Sequence, residues 1–221
     1  LSAAACMAAS CTGDFDSFNT NPDAVQQIDV KNYITTMERD AVIPTSDEGA
    51  NEYQRACNLM GDTFGGYFAP IQAFTYDLDG TDYNNVPFSV AFTNVMPAWL
   101  QLKYAHENGQ ITDDIFAVAE VIRVMALQRA TDIYGPIPVS HFGETENPYE
   151  SQQTVYENLF RDLDAAIATL TEYATNSADA HPLEKVDAIY QGDYPKWLKL
   201  ANSVKLRMAM RIRFVEPGKA Q

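Results

Sequence analysis

The chain has 221 residues, of which 46% are hydrophobic, and its formal net charge is −15. This length and composition are enough for a domain with a substantial core, whereas 11 glycines and 11 prolines are too few for a collagen-like or disordered chain. A surface this acidic repels phosphate backbones, which disfavours nucleic acid as a partner but not neutral ligands.

The N-terminal residues are small and apolar up to a cysteine. Positions 1–10 read LSAAACMAAS, and the sequence becomes polar and acidic directly after Cys11. We predict that residues 1–10 are the tail of a signal peptide, that Cys11 carries the lipid of a bacterial lipoprotein, and that residues 11–21 form a flexible tether. Cys6 is a competing lipidation site, and a helix start built from small residues is the alternative for this segment.

Beyond residue 22, the sequence is predicted to be almost entirely helical. Apolar residues recur every three or four positions, and no run alternates in the way that indicates a strand. Pro97 is expected to kink or break one helix, while Thr154 and Glu157 form the capping-box pattern that begins another. The predicted helices span 23–42, 51–70, 89–109, 113–135, 154–170 and 194–214, and the fourth is expected to be central and buried.

Two long segments, 73–87 and 135–153, have no helical period and are predicted to be loops. The remaining connections are short. Helix lengths and connections together predict an all-α fold, an array of helix pairs with long loops.

The first long loop contains the residue types that bind sugars. It reads FTYDLDGTDYNNVPF over residues 74–88. Aromatic rings pack on the C–H faces of pyranose rings, while Asn and Asp side chains hydrogen-bond to hydroxyl groups. The candidate ligand-binding residues are Phe74, Tyr76, Asp77, Tyr83, Asn84 and Asn85. The alternative is a loop packed on the scaffold with its aromatic side chains buried.

The same loop has the acidic pattern Asp77-x-Asp79-Gly80-x-Asp82, but it does not match an EF-hand, because Phe88 stands where the closing Glu is required. No motif for nucleophilic, metal or phosphate chemistry occurs elsewhere, and the three histidines are isolated. We therefore predict that the protein is not an enzyme and has no cofactor or metal; calcium bound by this loop in another geometry is the alternative.

Several charged and aromatic residues are expected to have structural roles. Arg123 and Arg129 lie within an apolar helix and should snorkel or pair internally, and Trp99 and Trp197 should belong to the core. Basic residues concentrate near the end of the chain, where they are expected to pair with its acidic remainder; contact with an acidic partner is the alternative. They are Lys196, Lys199, Lys205, Arg207, Arg211 and Arg213.

Four stretches carry a resemblance to a known family. They are Cys11 with the following FDSFNTNPDAV, DIYGPIPVSHFGE (132–144), TVYENLFRDLDAAIATL (154–170) and WLKLANSVKLRMAMRI (197–212). In this order and spacing they resemble the SusD/RagB family of outer-membrane lipoproteins from Bacteroidetes-type bacteria. The resemblance covers nearly the whole chain from Cys11 onward, but only the N-terminal part of the family.

This resemblance implies a glycan receptor that is not an enzyme. It would be lipid-anchored at the cell surface, acting as a lid on a TonB-dependent, SusC-like transporter to which it delivers oligosaccharide. The family fold is all-α, with helix pairs like tetratricopeptide repeats, so residues 22–221 would be the N-terminal portion of a longer helical domain. In related proteins, a loop near residues 74–88 contributes to the glycan site.

Two other functions are kept open. One is a helical-repeat adaptor that binds a protein in its concave face. The other is an all-α glycoside hydrolase that uses a pair of carboxyl groups.

Overall fold

The computed structural model of the chain describes residues 29–42, 53–69, 85–176 and 181–220. Within these ranges the regular secondary structure is helical, and the one β-type pairing is an isolated bridge between Ile137 and Glu150. The predicted all-α class is confirmed. In the same ranges, no helix combines the length and apolar character needed to cross a membrane.

The described residues form long helices and a few short helical segments. In chain order they are α1 (Val30–Val42), a first π-helix (Gln54–Gly61) that runs into the one-turn α2 (Asp62–Phe64), α3 (Val86–Ser89), a second π-helix (Val90–Val95), α4 (Met96–Glu107), α5 (Asp113–Tyr134), α6 (Gln152–Asn176) and α7 (Tyr194–Ile212). Helix α6 follows the loop 135–151, the second of the two predicted long loops.

Helix α5 is at the centre of the fold, as its sequence predicts. It contacts α1, α4, α6 and α7, and its most extensive contacts are with α6. Val118, Val121, Ile122 and Leu127 are buried although they point in different directions around the helix, because neighbours surround it. Consecutive long helices pack side by side, α5 on α6 and α6 on α7, which gives the predicted helix-pair scaffold.

Side-chain caps determine where three of the helices begin. Asp29 Oδ1 accepts the backbone N–H of Asn32 at the start of α1, and Asp193 Oδ1 accepts that of Lys196 at the start of α7. The capping box predicted at Thr154 is wrong, because the helix begins earlier, and Ser151 Oγ accepts the backbone N–H of Thr154 at 3.1 Å. Glu157 instead bonds to Gln153 and Lys219.

Of the two outcomes predicted at Pro97, a kink or a break, the break is wrong, since helix continues from Val86 to Glu107. A proline ring normally clashes with the carbonyl four residues earlier. Here a π-helix precedes it, and the N–H of Met96 bonds to the carbonyl of Ala91, five residues back. The wider turn of a π-helix gives the ring room, so the helix continues.

The helix predicted over 51–70 is shorter than expected. Helical structure ends at Phe64, and a turn follows at Gly65 and Gly66. Gly66 adopts φ = +74°, a conformation that glycine accepts more easily than other residues and that ends a helix. The glycine pair, rather than Pro70, therefore determines the end of this helix.

Candidate functional site

Most of the predicted ligand-binding residues lie outside the described part of the chain. These are Phe74, Tyr76, Asp77, Tyr83 and Asn84, and the predicted lipidation site Cys11 lies outside it as well. Asn85 is described: it is exposed, and it directly precedes α3. The two ends of the candidate loop are therefore known, the turn after α2 on one side and Asn85 on the other.

A groove of about 470 Å³ lies between α4, α5, α6 and the loop 135–151. Small side chains, among them Ala117, Ala165 and Ala166, line part of it, and charged and aromatic side chains line the rest. Sequence reasoning did not predict this groove, because its walls come from segments up to about 70 positions apart along the chain.

Trp99 lies at the groove but is not an open platform. Its side chain is only 9% exposed, and its Nε1–H donates to Glu120 Oε1 at 2.6 Å. The guanidinium of Arg123 lies 4.4 Å from the centre of the indole ring, and the ammonium of Lys103 lies 5.6 Å from it. The prediction that Trp99 belongs to the core is confirmed, as is that for Trp197, which is fully buried.

Arg123 pairs with two carboxylates on the side of the groove next to Trp99. Its Nη2 lies 2.9 Å from Glu120 Oε2 on the same helix and 2.5 Å from Asp162 Oδ2 on α6. Burial alone would lower the pKa of Arg123, but the two neighbouring carboxylates more than offset this effect, so its pKa is raised. The predicted internal pairing of Arg123 is confirmed.

His106 and Phe116 form a second aromatic feature of the groove. Their rings stack with centroids 4.5 Å apart and an angle of 7° between planes, and His106 Nε2 lies 2.7 Å from Asp113 Oδ1. No sequence pattern indicates this pair, because the turn between α4 and α5 brings the residues together.

The loop 135–151 forms a structured rim. Glu150 accepts hydrogen bonds from the backbone N–H and the hydroxyl of Ser140, at 2.5 and 2.8 Å. Asn158 of α6 donates to both residues, which attaches the loop to the scaffold. Gly143 lies so close to Leu100 of α4 that an added Cβ would be 2.6 Å from that side chain.

Each acidic side chain that lines the groove has a basic partner. Asp113 pairs with His106, and Arg123 pairs with both Glu120 and Asp162. The groove is therefore a polar surface with its charges largely compensated, unlike the chain as a whole. Among the described residues, no group of three or more His, Cys, Asp or Glu is arranged to bind a metal ion.

Three of the six basic residues near the end of the chain have the acidic neighbours expected from the sequence. Lys196 lies 2.8 Å from Asp193, and Lys205 of α7 lies 2.6 Å from Asp164 of α6. Arg211 lies 3.4 Å from Asp132. The contacts of Lys205 and Arg211 join α7 to α6 and α5.

Solved structures contain this arrangement of helices. A chitin-binding SusD homologue from Flavobacterium johnsoniae is 30% identical, with a TM-score of 0.73, over 86% of this chain and 40% of that one. A SusD-like protein from Bacteroides thetaiotaomicron is 32% identical, with a TM-score of 0.72 and the same coverage. A SusD homologue from Bacteroides uniformis is 30% identical, with a TM-score of 0.70, over 86% of this chain and 39% of that one.

The chain thus spans about 40% of the length of these solved chains. None of the proteins with a curated functional description matches it. The model of the SusD-like family, described as SusD and RagB outer membrane lipoproteins, matches residues 16–221. The chain therefore belongs to the SusD/RagB family of outer membrane lipoproteins.

Proposed function

We propose that this chain is the N-terminal portion of a surface lipoprotein that captures oligosaccharide and delivers it to a SusC-like, TonB-dependent transporter in the outer membrane. The observation that carries this proposal is the family match over residues 16–221, together with a relative described as chitin-binding at 30% identity. Residues 22–221 supply the helical scaffold. Contacts from the remainder of the longer protein complete the glycan site.

The loop between α2 and α3 is the proposed glycan-binding segment. Its candidate residues Phe74, Tyr76, Asp77, Tyr83, Asn84 and Asn85 combine ring faces for stacking with groups that hydrogen-bond to hydroxyls. Exposure of Asn85 at the C-terminal end of this loop supports the assignment. Long loops on a rigid helical scaffold commonly carry binding residues.

The lipid anchor is proposed at Cys11. The segment from Thr12 to the start of the family match is short and polar, and members of the family are described as outer membrane lipoproteins. Several acyl chains on one cysteine would hold the protein firmly at the membrane surface.

Binding without turnover is favoured by the chemistry of the groove. A glycoside hydrolase requires one carboxyl group that can donate a proton and a second one across the sugar. Glu120 and Asp162 face the groove, but both are bound to the same guanidinium, that of Arg123. The two carboxyl groups are therefore already engaged in a structural ion pair.

The test uses the full-length lipoprotein, without its lipid, against a panel of neutral polysaccharides. We expect binding to at least one glycan and no release of reducing ends. Replacing Tyr76 or Tyr83 by Ala should weaken that binding, whereas Tyr149→Ala, an exposed tyrosine in the loop 135–151, should not. Absence of binding to every glycan, or measurable hydrolysis, would overturn the proposal.

A further inference from the structure

The turn that follows α2 is held by a specific set of backbone hydrogen bonds. The N–H of Tyr67 bonds to the carbonyl of Asp62 at 2.8 Å, and the N–H of Gly66 bonds to that of Thr63 at 3.1 Å. With Gly66 at φ = +74°, these two bonds form the Schellman motif that closes many helices. Phe68 N–H also reaches Asp62, at 3.3 Å, so both aromatic residues have anchored backbones.

The two aromatic side chains on this turn point into solvent. Tyr67 is 82% exposed and Phe68 is 56% exposed. In Schellman motifs the residue at the position of Tyr67 frequently makes an apolar contact with a residue in the last turn of the helix, such as the one at the position of Asp62. Asp62 is acidic, so it offers the ring no such apolar partner.

One edge of the Tyr67 ring lies beside Gly65 of its own turn. A Cβ added to Gly65 would lie 3.0 Å from Tyr67 Cδ2 and 3.1 Å from Cε2. Glycine at position 65 therefore lets this edge of the ring lie close to the main chain. Most of the side chain remains accessible to a ligand, because Tyr67 is 82% exposed.

The chemistry of the turn favours a neutral ligand. Residues 63–69, TFGGYFA, contain no charged side chain, although the chain as a whole carries a net charge of −15. An anionic membrane surface would be repelled by that charge. A pyranose ring presents an apolar C–H face to an aromatic ring and hydroxyl groups to water and to the tyrosine hydroxyl.

We propose that Tyr67 and Phe68 form an aromatic platform on which sugar rings of the bound oligosaccharide stack. This inference rests on the proposed function and extends the candidate site from the loop 74–85 to the turn before it. The backbone of the platform is preformed, because the Schellman hydrogen bonds hold it, so little backbone entropy is lost when a sugar binds.

The test measures the affinity of the full-length protein for a glycan that the wild type binds, by calorimetry. We expect Tyr67→Ala and Phe68→Ala each to weaken binding by about threefold to tenfold, as for loss of one aromatic stacking contact. Tyr67→Phe, which keeps the ring, should stay within about twofold of the wild type. Tyr149→Ala is the matched control, because Tyr149 is also an exposed tyrosine on a loop.

A chemical footprint tests the same proposal without a substitution. Nitration of tyrosines in the wild-type protein should be suppressed at Tyr67 by saturating glycan and unchanged at Tyr149. The wild type could bind glycan without protecting Tyr67 from nitration, and Tyr67→Ala could bind with unchanged affinity. In that case the platform is wrong and the proposed function stands. Loss of thermal stability in Tyr67→Ala with unchanged affinity would show that the ring packs against the rest of the longer protein, which also overturns the platform. If the wild type binds no glycan, both proposals fail.

Discussion

Arg123 of α5 and Asp162 of α6 are joined by an ion pair in which Nη2 and Oδ2 are 2.5 Å apart. The guanidinium is buried, and it also contacts Glu120 and the face of Trp99. A single side chain thus links the central helix to its neighbour and forms the charged wall of the groove.

Arg123→Ala should destabilise the protein strongly. Removing one partner of a buried ion pair leaves an uncompensated carboxylate, which costs about 3–5 kcal/mol. Arg161→Ala is the matched control, because Arg161 also pairs with Asp162 but has a side chain that is 69% exposed. It should cost less than about 1 kcal/mol. Urea unfolding measures both, and equal losses would contradict a special role for the buried arginine.

Glu38 and Asp187 should make stability depend on pH. Both are buried, and the backbone N–H of Ala188 donates to Glu38 at 2.9 Å. Burial, followed by a hydrogen bond to Asp187, raises the pKa of Glu38 to about 8. For Asp187, burial acts in the opposite direction, but hydrogen bonds from Glu38, Tyr190, Trp197 and Gly192 dominate and lower its pKa.

Glu38 binds its proton more tightly in the folded protein than in the unfolded chain. Between the ordinary pKa of Glu38, 4.5, and about 8, the folded state keeps a proton that the unfolded chain loses. The contribution of Glu38 is therefore complete below pH 4.5 and declines as the pH rises to about 8, by at most about 1.4 kcal/mol per pH unit. That of Asp187 is present above pH 3.8 and is lost in acid.

Glu38→Gln isolates the contribution of Glu38 to the pH dependence of stability. The glutamine amide can donate a hydrogen bond to Asp187, as a protonated carboxyl group does, and it does not ionise as the pH rises. We expect the variant to match the wild type near pH 5 and to be more stable than it at pH 8, in urea unfolding. Glu184→Gln, an exposed change near the same turn, should leave the pH profile as it is. If the unfolding free energies of Glu38→Gln and the wild type changed with pH in the same way, Glu38 would not be protonated in the folded protein.

Gly192→Ala should be more damaging than Gly109→Ala, although both glycines have positive φ angles, +76° and +69°. That conformation alone costs a non-glycine residue about 1–2 kcal/mol. A Cβ at Gly192 would in addition lie 3.1 Å from the backbone nitrogen of Glu184, whereas nothing lies within 4 Å at Gly109. The melting temperature should therefore fall further for Gly192→Ala, and a reversed order would exclude this packing argument.

Cys11→Ser should release the protein from the membrane. Without the thiol the proposed lipid cannot be attached, so the acyl chains that would supply about 0.8 kcal/mol per buried CH₂ are lost. Fractionation of the native host should then move the protein from the membrane to the soluble fraction. Cys6→Ser should leave it at the membrane, and the opposite result for the two variants would assign lipidation to Cys6.

The sequence determined the class of the fold and the main helices. The segments 113–135 and 194–214 were predicted to within about two residues of α5 and α7. Their apolar periodicity is continuous, and local residues mark their limits: Gly135, with φ = +74°, follows α5, and Asp193 caps α7. The family resemblance was also a property of the sequence alone.

The start of α6 and the course of the chain at Pro97 depended on the tertiary structure. Both Ser151 and Thr154 are acceptable caps by type, and the hydrogen bonds of the loop 135–151 with α6 decide between them. A π-helix before Pro97 has no strong sequence signal, because it depends on how the flanking helices pack.

The buried polar contacts were decided only by the tertiary structure. Glu38 meets the backbone of Ala188, 150 residues away, and Arg123 meets Asp162 across two helices. Local sequence determines which segments become helices, because capping and apolar period act within a few residues. Which side chains meet between helices depends on how those helices pack, and neither the groove nor its charge pairs can be read from periodicity.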